Sequence, residues 1–164
     1  MVLTPPFSMK HIIYLKQMVV VLLVSITFAS CASLRTASFD QHSYQKAVEI
    51  KVEASRLMDL SVTPFINHAD AVQQLRREIA TIVEYEKNKP NNEITYAMWQ
   101  LLSDEEKNLL SGFFKRWESK GQLQAFFVAE AKPQVLEALD LLIQYEGKKD
   151  PAAKDRLLQL ISTN

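Results

Sequence analysis

Few residues in this sequence have the type and spacing that catalysis or metal binding requires. His42 and His68 are the histidines that follow the first thirty residues, and neither has a carboxylate or second histidine at metal-ligand spacing on one helix. No G-x-S-x-G turn is present to activate a serine, and three isolated glycines cannot form a phosphate-binding loop. The sequence therefore predicts no metal, no cofactor and no catalytic residue.

One charged residue lies where an apolar residue is expected. Lys51 falls within the apolar arc of the first predicted helix, between Ala47 and Ala54. The simpler interpretation is that its ammonium group reaches solvent from the edge of that arc. The alternative is a buried ion pair with an acid on a facing helix, Glu146 or Glu130. Such a pair would make Lys51 the polar group of a ligand pocket in a small-ligand receptor or an enzyme.

Aromatic residues are concentrated between Trp99 and Phe127, a segment with both tryptophans and four of the eight phenylalanines. Most of them lie at helical spacing, which favours core packing. The alternative is an exposed aromatic surface around Trp99 and Trp117 that binds a partner helix or peptide. This surface is the candidate partner site, and it predicts a binding or scaffolding role towards a protein.

The single cysteine, Cys31, cannot form an intrachain disulfide. It follows an uncharged apolar stretch, Met18 to Phe28, which is preceded by Lys10 and Lys16. A basic segment, an apolar run of about 7–15 residues and then small residues form the pattern of a secretory signal peptide. The pattern predicts an exported protein.

The residues that end at this cysteine, Phe28-Ala29-Ser30-Cys31, resemble the lipobox of bacterial lipoproteins, although Phe28 stands where leucine is commonest. The resemblance implies that residues 1–30 are removed as a signal peptide and that the Cys31 thiol carries a diacylglyceryl group. It also implies a lipid anchor in the cell envelope. Ala32 after the cysteine resembles the class sorted to the outer membrane, facing the periplasm, if the organism is Gram-negative.

Two other interpretations of this segment stay open. An ordinary signal peptide would be cut after Ala32, because Ser30 and Ala32 fit the small-x-small rule. An uncleaved anchor would extend back to Ile12. A membrane span ordinarily needs about 20 apolar residues, and Lys16 interrupts this run.

The charge balance argues against one class of partner. The chain has 19 basic and 19 acidic residues, and only two of them, Lys10 and Lys16, precede Cys31. The part of the chain from Cys31 onward therefore has 17 basic and 19 acidic residues, a net charge of −2. A near-neutral domain has no electrostatic basis for binding nucleic acid. The expected partners are the membrane, through Cys31, and a protein.

The residue pattern after the signal segment is helical throughout. Residues 31–42 are predicted to form the lipidated cysteine and a polar tether, and residues 43–164 a single helical domain. The first helix, Ser43 to Leu60, has an apolar face of Ala47, Ile50, Ala54, Leu57 and Met58. No alternating apolar run bounded by hairpin signals indicates a strand.

The second predicted helix begins at Thr63-Pro64, with threonine as the cap and proline in the first position. Its apolar stripe starts at Ile66 and the helix ends near Lys87. Residues 88–92 (NKPNN) are predicted to form a plain loop.

The third predicted element is divided in two. A short piece from Ile94 to Leu102 comes first. A capping box of Ser103 and Glu106 then begins a second helix, which Gly121 ends in a left-handed turn.

Pro133 is predicted to open the fourth long helix, Gly147 to end it, and Asp150-Pro151 to begin a short terminal helix. These elements together predict an all-α protein. The predicted architecture is an antiparallel four-helix bundle with a kinked third element and a short C-terminal helix.

Overall fold

The computed structural model describes residues 37–149 and 151–163, and this part of the chain is all-α. Cys31, the lipobox-like segment and Asp150 lie outside the described residues. Within the described ranges there are six α-helices, a 3₁₀ turn at Phe65–Asn67 and no strand. The helices are α1 (Gln41–Leu60), α2 (Ala69–Lys87), α3 (Glu93–Ser103), α4 (Leu110–Lys120), α5 (Ala125–Lys148) and α6 (Pro151–Thr163).

The all-α class predicted from the sequence is confirmed, and so is the apolar face of α1. The five residues of that face are all fully buried: Ala47, Ile50, Ala54, Leu57 and Met58. Helix α1 packs between α5 and α2, α2 packs on α3, and α6 closes the arrangement between α3 and α5. The terminal helix is thus part of the packed body. None of the helices in the described ranges is both long and apolar enough to cross a bilayer.

Helix α1 begins earlier than predicted because Asp40 caps it. Asp40 Oδ1 accepts a hydrogen bond from the His42 N–H at 2.9 Å, and Asp40 Oδ2 accepts one from the Ser43 hydroxyl at 3.1 Å. The preceding Ala37 is buried and donates its N–H to the Asn91 carbonyl at 2.8 Å. The tether predicted for residues 31–42 therefore meets the domain already at Ala37.

Helix α2 begins later than predicted because Thr63 does not cap it. The Thr63 hydroxyl donates to the Leu60 carbonyl at 2.6 Å and lies 2.9 Å from His68 Nε2. The chain then forms the 3₁₀ turn at Phe65–Asn67 before α2 starts. Ile66, predicted to lie on the buried stripe, is consequently 80% exposed.

The third element is divided as predicted, but the predicted capping box is wrong. Ser103 ends α3, and its hydroxyl donates to the Gln100 carbonyl at 3.1 Å. In the following turn Asp104 Oδ1 accepts the Glu106 N–H at 2.8 Å. Helix α4 begins only at Leu110.

Two glycines shape α4. A Cβ on Gly112 would overlap the Lys107 carbonyl oxygen, because the turn before α4 folds back over its first residues. Gly121 ends the helix with φ of 73°, a conformation that favours glycine, as the sequence predicted.

Helix α5 is longer than predicted at both ends. Pro133 lies inside it on the exposed side, where solvent can reach the Ala129 carbonyl that its missing N–H leaves unbonded. Gly147 does not end the helix; a Cβ there would lie 3.3 Å from Tyr44 Cε2, so the missing side chain lets this ring approach. The helix ends at Lys149, whose φ is 51°.

Candidate functional site

The two tryptophans predicted to border a partner site both lie in the core. Trp99 and Trp117 are 0% exposed. Trp117 packs edge-on against Phe65, with ring centroids 5.4 Å apart, and its Nε1 donates to the Thr63 carbonyl at 3.1 Å. The exposed aromatic surface expected around them is therefore not formed by these residues, because their rings fill the space between the helices.

Lys51 pairs with Asp140 on α5 rather than with Glu130 or Glu146. The two side chains of this pair are 28% and 46% exposed. An ion pair with this much solvent contact contributes about 0–1 kcal/mol to stability. Lys51 is thus not the buried polar group that a ligand pocket around it would require.

A buried group of charged and polar side chains lies elsewhere, at the end of the domain where the chain enters. We call it the ionic cluster, and its members are Asp40, Ser43, Glu86, Lys89, Asn92, Thr95, Glu146 and Lys149. The cluster joins the start of α1, the end of α2, the start of α3 and the end of α5.

Lys89 lies at the centre of the ionic cluster, although it belongs to the loop between α2 and α3. Its Nζ donates to Ser43 Oγ at 2.9 Å and lies 3.2 Å from Asp40 Oδ2. The same ammonium is 3.5 Å from Glu86 Oε2 and 3.9 Å from Glu146 Oε2. Both glutamates are 0% exposed, so Lys89 supplies positive charge to two carboxylates removed from water, and it lies closer to Glu86 than to Glu146.

The two glutamates are held by further donors. Glu146 Oε1 accepts from Thr95 Oγ1 and from Lys149 Nζ, the latter at 2.5 Å. Asn92 Nδ2 donates to Glu86 Oε2 at 2.5 Å and to the Glu86 carbonyl at 3.0 Å. Each carboxylate thus has a lysine and a neutral donor, an arrangement that offsets part of the cost of burial.

Some buried acceptor atoms in the ionic cluster receive no hydrogen bond. Within the described residues, Glu86 Oε1, Glu146 Oε2 and Asn92 Oδ1 have no hydrogen-bond partner. No group of three histidine, cysteine or acidic side chains there is placed to hold a metal ion. Since both glutamates are closed off from solvent, the arrangement fastens four segments together and does not present a carboxylate to a substrate.

Asp40 and Tyr85 extend the ionic cluster to the surface. Burial would raise the pKa of Asp40, but hydrogen bonds from Tyr85 Oη at 2.7 Å, from Lys89 and from the His42 N–H hold it well below its ordinary value. The hydrogen bond to Asp40 raises the pKa of Tyr85 to about 12. At neutral pH a protonated phenol therefore donates to an ionised carboxylate, which is a strong type of hydrogen bond.

The ionic cluster was not predicted from the sequence, although two of its members left a signal there. Glu86 follows Ile82 by four positions on the buried stripe of α2, and Glu146 follows Leu142 by four on that of α5. Acids on apolar stripes indicate buried partners. Lys89 left no such signal, because it lies in a polar run interpreted as a plain loop.

A separate cleft of about 320 Å³ lies between α4 and α5, and we call it the α4–α5 cleft. Its lining includes Asn108, Phe113, Arg116, Phe127, Glu130 and Gln134. The rings of Phe113 and Phe127 are nearly parallel, with centroids 5.9 Å apart. The guanidinium carbon of Arg116 lies 4.3 Å from the centroid of Phe127, within the range of a cation–π contact.

Comparison with known proteins assigns no family to this chain. No protein-family model matches it, and neither does any curated protein or solved structure. Its function is therefore inferred from its residues and their geometry.

Proposed function

We propose that this chain is a lipoprotein of the bacterial cell envelope that binds a protein partner through the end of its helical domain farthest from the membrane. The role is binding or scaffolding, without catalysis. The lipid anchor is inferred from the lipobox-like residues Phe28-Ala29-Ser30-Cys31. Support also comes from the position of Ala37, where the described chain begins.

The observation that carries the proposal is the entry point at Ala37. This residue is buried and bonded to Asn91 at the end of the domain that contains the ionic cluster. The six residues from Ala32 to Ala37 reach at most about 21 Å when fully extended. A lipid on Cys31 would hold this entry end close to the membrane surface.

The opposite end of the domain is formed by residues 61–67 and 121–127. Helix α1 starts at the entry end and has 20 residues, which places its other end about 30 Å away. There the Phe65 N–H donates to the Gly121 carbonyl at 2.6 Å, and the Leu123 N–H donates to the Ser61 carbonyl at 2.9 Å. These bonds join the two segments into one surface, which we call the distal end.

The distal end carries the most exposed large apolar side chains of the described residues. Ile66 is 80% exposed and Phe126 is 76% exposed. Exposed aromatic and aliphatic side chains are typical of the contact surfaces of proteins. This distribution favours a protein partner that meets the domain on the side away from the lipid.

Replacing Cys31 by serine should abolish fatty-acid incorporation, because serine has no thiol to form the thioether. The measurement is labelling of the full chain with palmitate in cells, followed by intact mass determination of the exported protein. Ser30→Ala is the matched control and should be labelled normally, since alanine is also small. An unmodified thiol in the exported wild-type protein, or an N-terminus after residue 31, would contradict the lipid anchor.

A photo-crosslinking amino acid at Phe126 should give a discrete protein adduct in intact cells, because this side chain points to solvent at the distal end. Val52 is the matched control position, since it is 65% exposed on α1. We expect at least several-fold less adduct there on gels of the membrane fraction. Equal adducts at both positions, or none at Phe126, would argue against a partner at the distal end.

A further inference from the structure

Apolar side chains surround the point where the chain enters the domain. Phe39 follows the buried Ala37 by two positions and is 56% exposed, and Tyr85 is 41% exposed. Both lie next to one carboxylate, since Phe39 precedes Asp40 and Tyr85 Oη is 2.7 Å from Asp40 Oδ2. Pro90 is also exposed and adjoins the residue whose carbonyl accepts the Ala37 N–H. We call Phe39, Tyr85 and Pro90 the entry face.

The ring of Phe39 is fixed in position although it lies outside the core. Its centroid is 6.2 Å from that of Tyr44, which is half-buried. Phe39 precedes the cap of α1 and Tyr44 is the fourth residue of that helix, so the two form a hydrophobic staple. The staple accounts for the contact with Tyr44, but it leaves more than half of the Phe39 side chain in water. A ring that is already held loses little side-chain freedom when its free side is covered.

The carboxylates at this end of the domain are paired with lysines. Three of them belong to the ionic cluster, where each lies between 2.5 and 3.5 Å from an ammonium nitrogen: Asp40, Glu86 and Glu146. The exposed Glu84 pairs with Lys87 at 3.4 Å. At the ends of α5 and α3, Lys148 and Glu93 add one exposed charge of each sign. The entry face is therefore close to neutral, and no excess of carboxylates opposes its approach to lipid phosphates.

The length of the tether selects a bilayer as the occupant of this face, and this step rests on the lipid anchor proposed above. Only six residues, Ala32 to Ala37, separate a lipid on Cys31 from the domain, a reach of about 21 Å. An anchored domain meets the surface at a high effective concentration, so a contact too weak to hold a free protein becomes populated.

We propose that the entry face rests on the bilayer, with the ring of Phe39 inserted among the lipid headgroups and the upper acyl chains. Tyr85 and Pro90 lie at the interface beside it. Aromatic side chains are enriched at this depth because the ring leaves water while a polar end stays hydrogen-bonded, as Tyr85 is to Asp40. The burial of one phenylalanine changes a partition coefficient by about tenfold or more. Helix α1 then leads away from the membrane towards the distal end.

Quenching by brominated lipids tests the proposal. The exported, lipidated protein with Phe39→Trp is placed in vesicles of phosphatidylcholine and phosphatidylglycerol, with or without bromine on the upper acyl chains. We expect the emission added by the new indole to be mostly lost in the brominated vesicles, because bromine quenches only at short range. Trp99 and Trp117 are 0% exposed, so the wild-type protein gives an unquenched background.

Two matched controls place a tryptophan away from the entry face. Val52 on α1 is 65% exposed and Phe126 at the distal end is 76% exposed, so Val52→Trp and Phe126→Trp should keep their added emission. Pro90→Trp is a second position on the entry face and should be quenched. It decides the result if circular dichroism shows that Phe39→Trp is misfolded.

The outcomes separate this proposal from the lipid anchor. Protein that has the mass of the lipidated form and floats with the vesicles, but shows no quenching at the entry face, overturns the membrane contact and leaves the anchor intact. That result is expected if the face meets a protein instead. Equal quenching at all positions also overturns it. An exported protein without lipid would remove the anchor and this contact together.

Discussion

Replacing Lys89 by methionine should lower the free energy of unfolding by about 3–5 kcal/mol, the usual cost of removing one partner from a buried ion pair. The change keeps an unbranched side chain one heavy atom shorter and removes the ammonium group. Glu86, which is fully buried, would then lose the lysine that contacts it, and Glu146 would keep Lys149 alone. Urea denaturation followed by circular dichroism measures the difference. A domain of this size has a total stability of about 5–15 kcal/mol, so the expected loss is a large fraction of it.

Lys51→Met is the matched control for this prediction. It also removes a lysine from an ion pair, but Lys51 and Asp140 are 28% and 46% exposed. We expect a loss below about 1 kcal/mol. Adding Glu86→Gln to Lys89→Met should recover part of the stability, because the amide removes the buried negative charge that Lys89 balanced, whereas Glu146 still has Lys149. Equal losses of stability in the two lysine variants would show that Lys89 contributes no more to stability than an exposed lysine does.

Gly112→Ala should lower the free energy of unfolding by about 3 kcal/mol, at the upper end of the usual cost of overpacking. The added methyl group would overlap the Lys107 carbonyl oxygen. A backbone atom cannot rotate away as the end of a side chain can, so the turn before α4 must move. Helix propensity acts in the opposite direction, since alanine is about 1 kcal/mol better than glycine inside a helix. The steric cost is larger than the gain in helix propensity, so the variant should be less stable than the wild type.

Gly147→Ala is the matched control: it is also a glycine-to-alanine change inside a helix, but the added methyl group overlaps no backbone atom. Its Cβ would lie 3.3 Å from Tyr44 Cε2, part of a ring that can shift by a few tenths of an ångström. The gain in propensity offsets this contact, and we expect a stability within about 1 kcal/mol of wild type. Thermal melts of both variants provide the comparison. If Gly112→Ala were the more stable of the two, the fold of residues 104–109 over α4 would be wrong.

The parts of the fold that were predictable are those that depend on neighbours along the chain. The apolar face of α1 repeats with the helical period, and all five of its residues are buried. Gly121 ends α4 because a left-handed residue favours glycine wherever it occurs. Cap residues were predicted less well: the residues taken as caps at Thr63 and Ser103 bond to preceding carbonyls, which a hydroxyl does as readily as it caps.

Most features of the candidate sites could not be predicted from the sequence. Helical spacing placed Trp99 and Trp117 on apolar faces but could not tell core from surface, since both require the same periodicity. The partner of Lys51 was sought at Glu146 or Glu130, and the structure pairs it with Asp140. Choosing among acids on one helix requires the rotation and offset of two packed helices, which no local pattern contains.

By itself the sequence determined the helical class and the inward face of α1, both of which are patterns within a few turns of chain; the lipobox-like segment at Cys31 stays a prediction. Only the tertiary structure decided that Lys89 faces Glu146, and that Arg116 and Glu130 share a cleft. Those pairs join different segments of the chain. Their contacts depend on how whole helices pack, and that packing is set by the summed burial of the core rather than by any one residue.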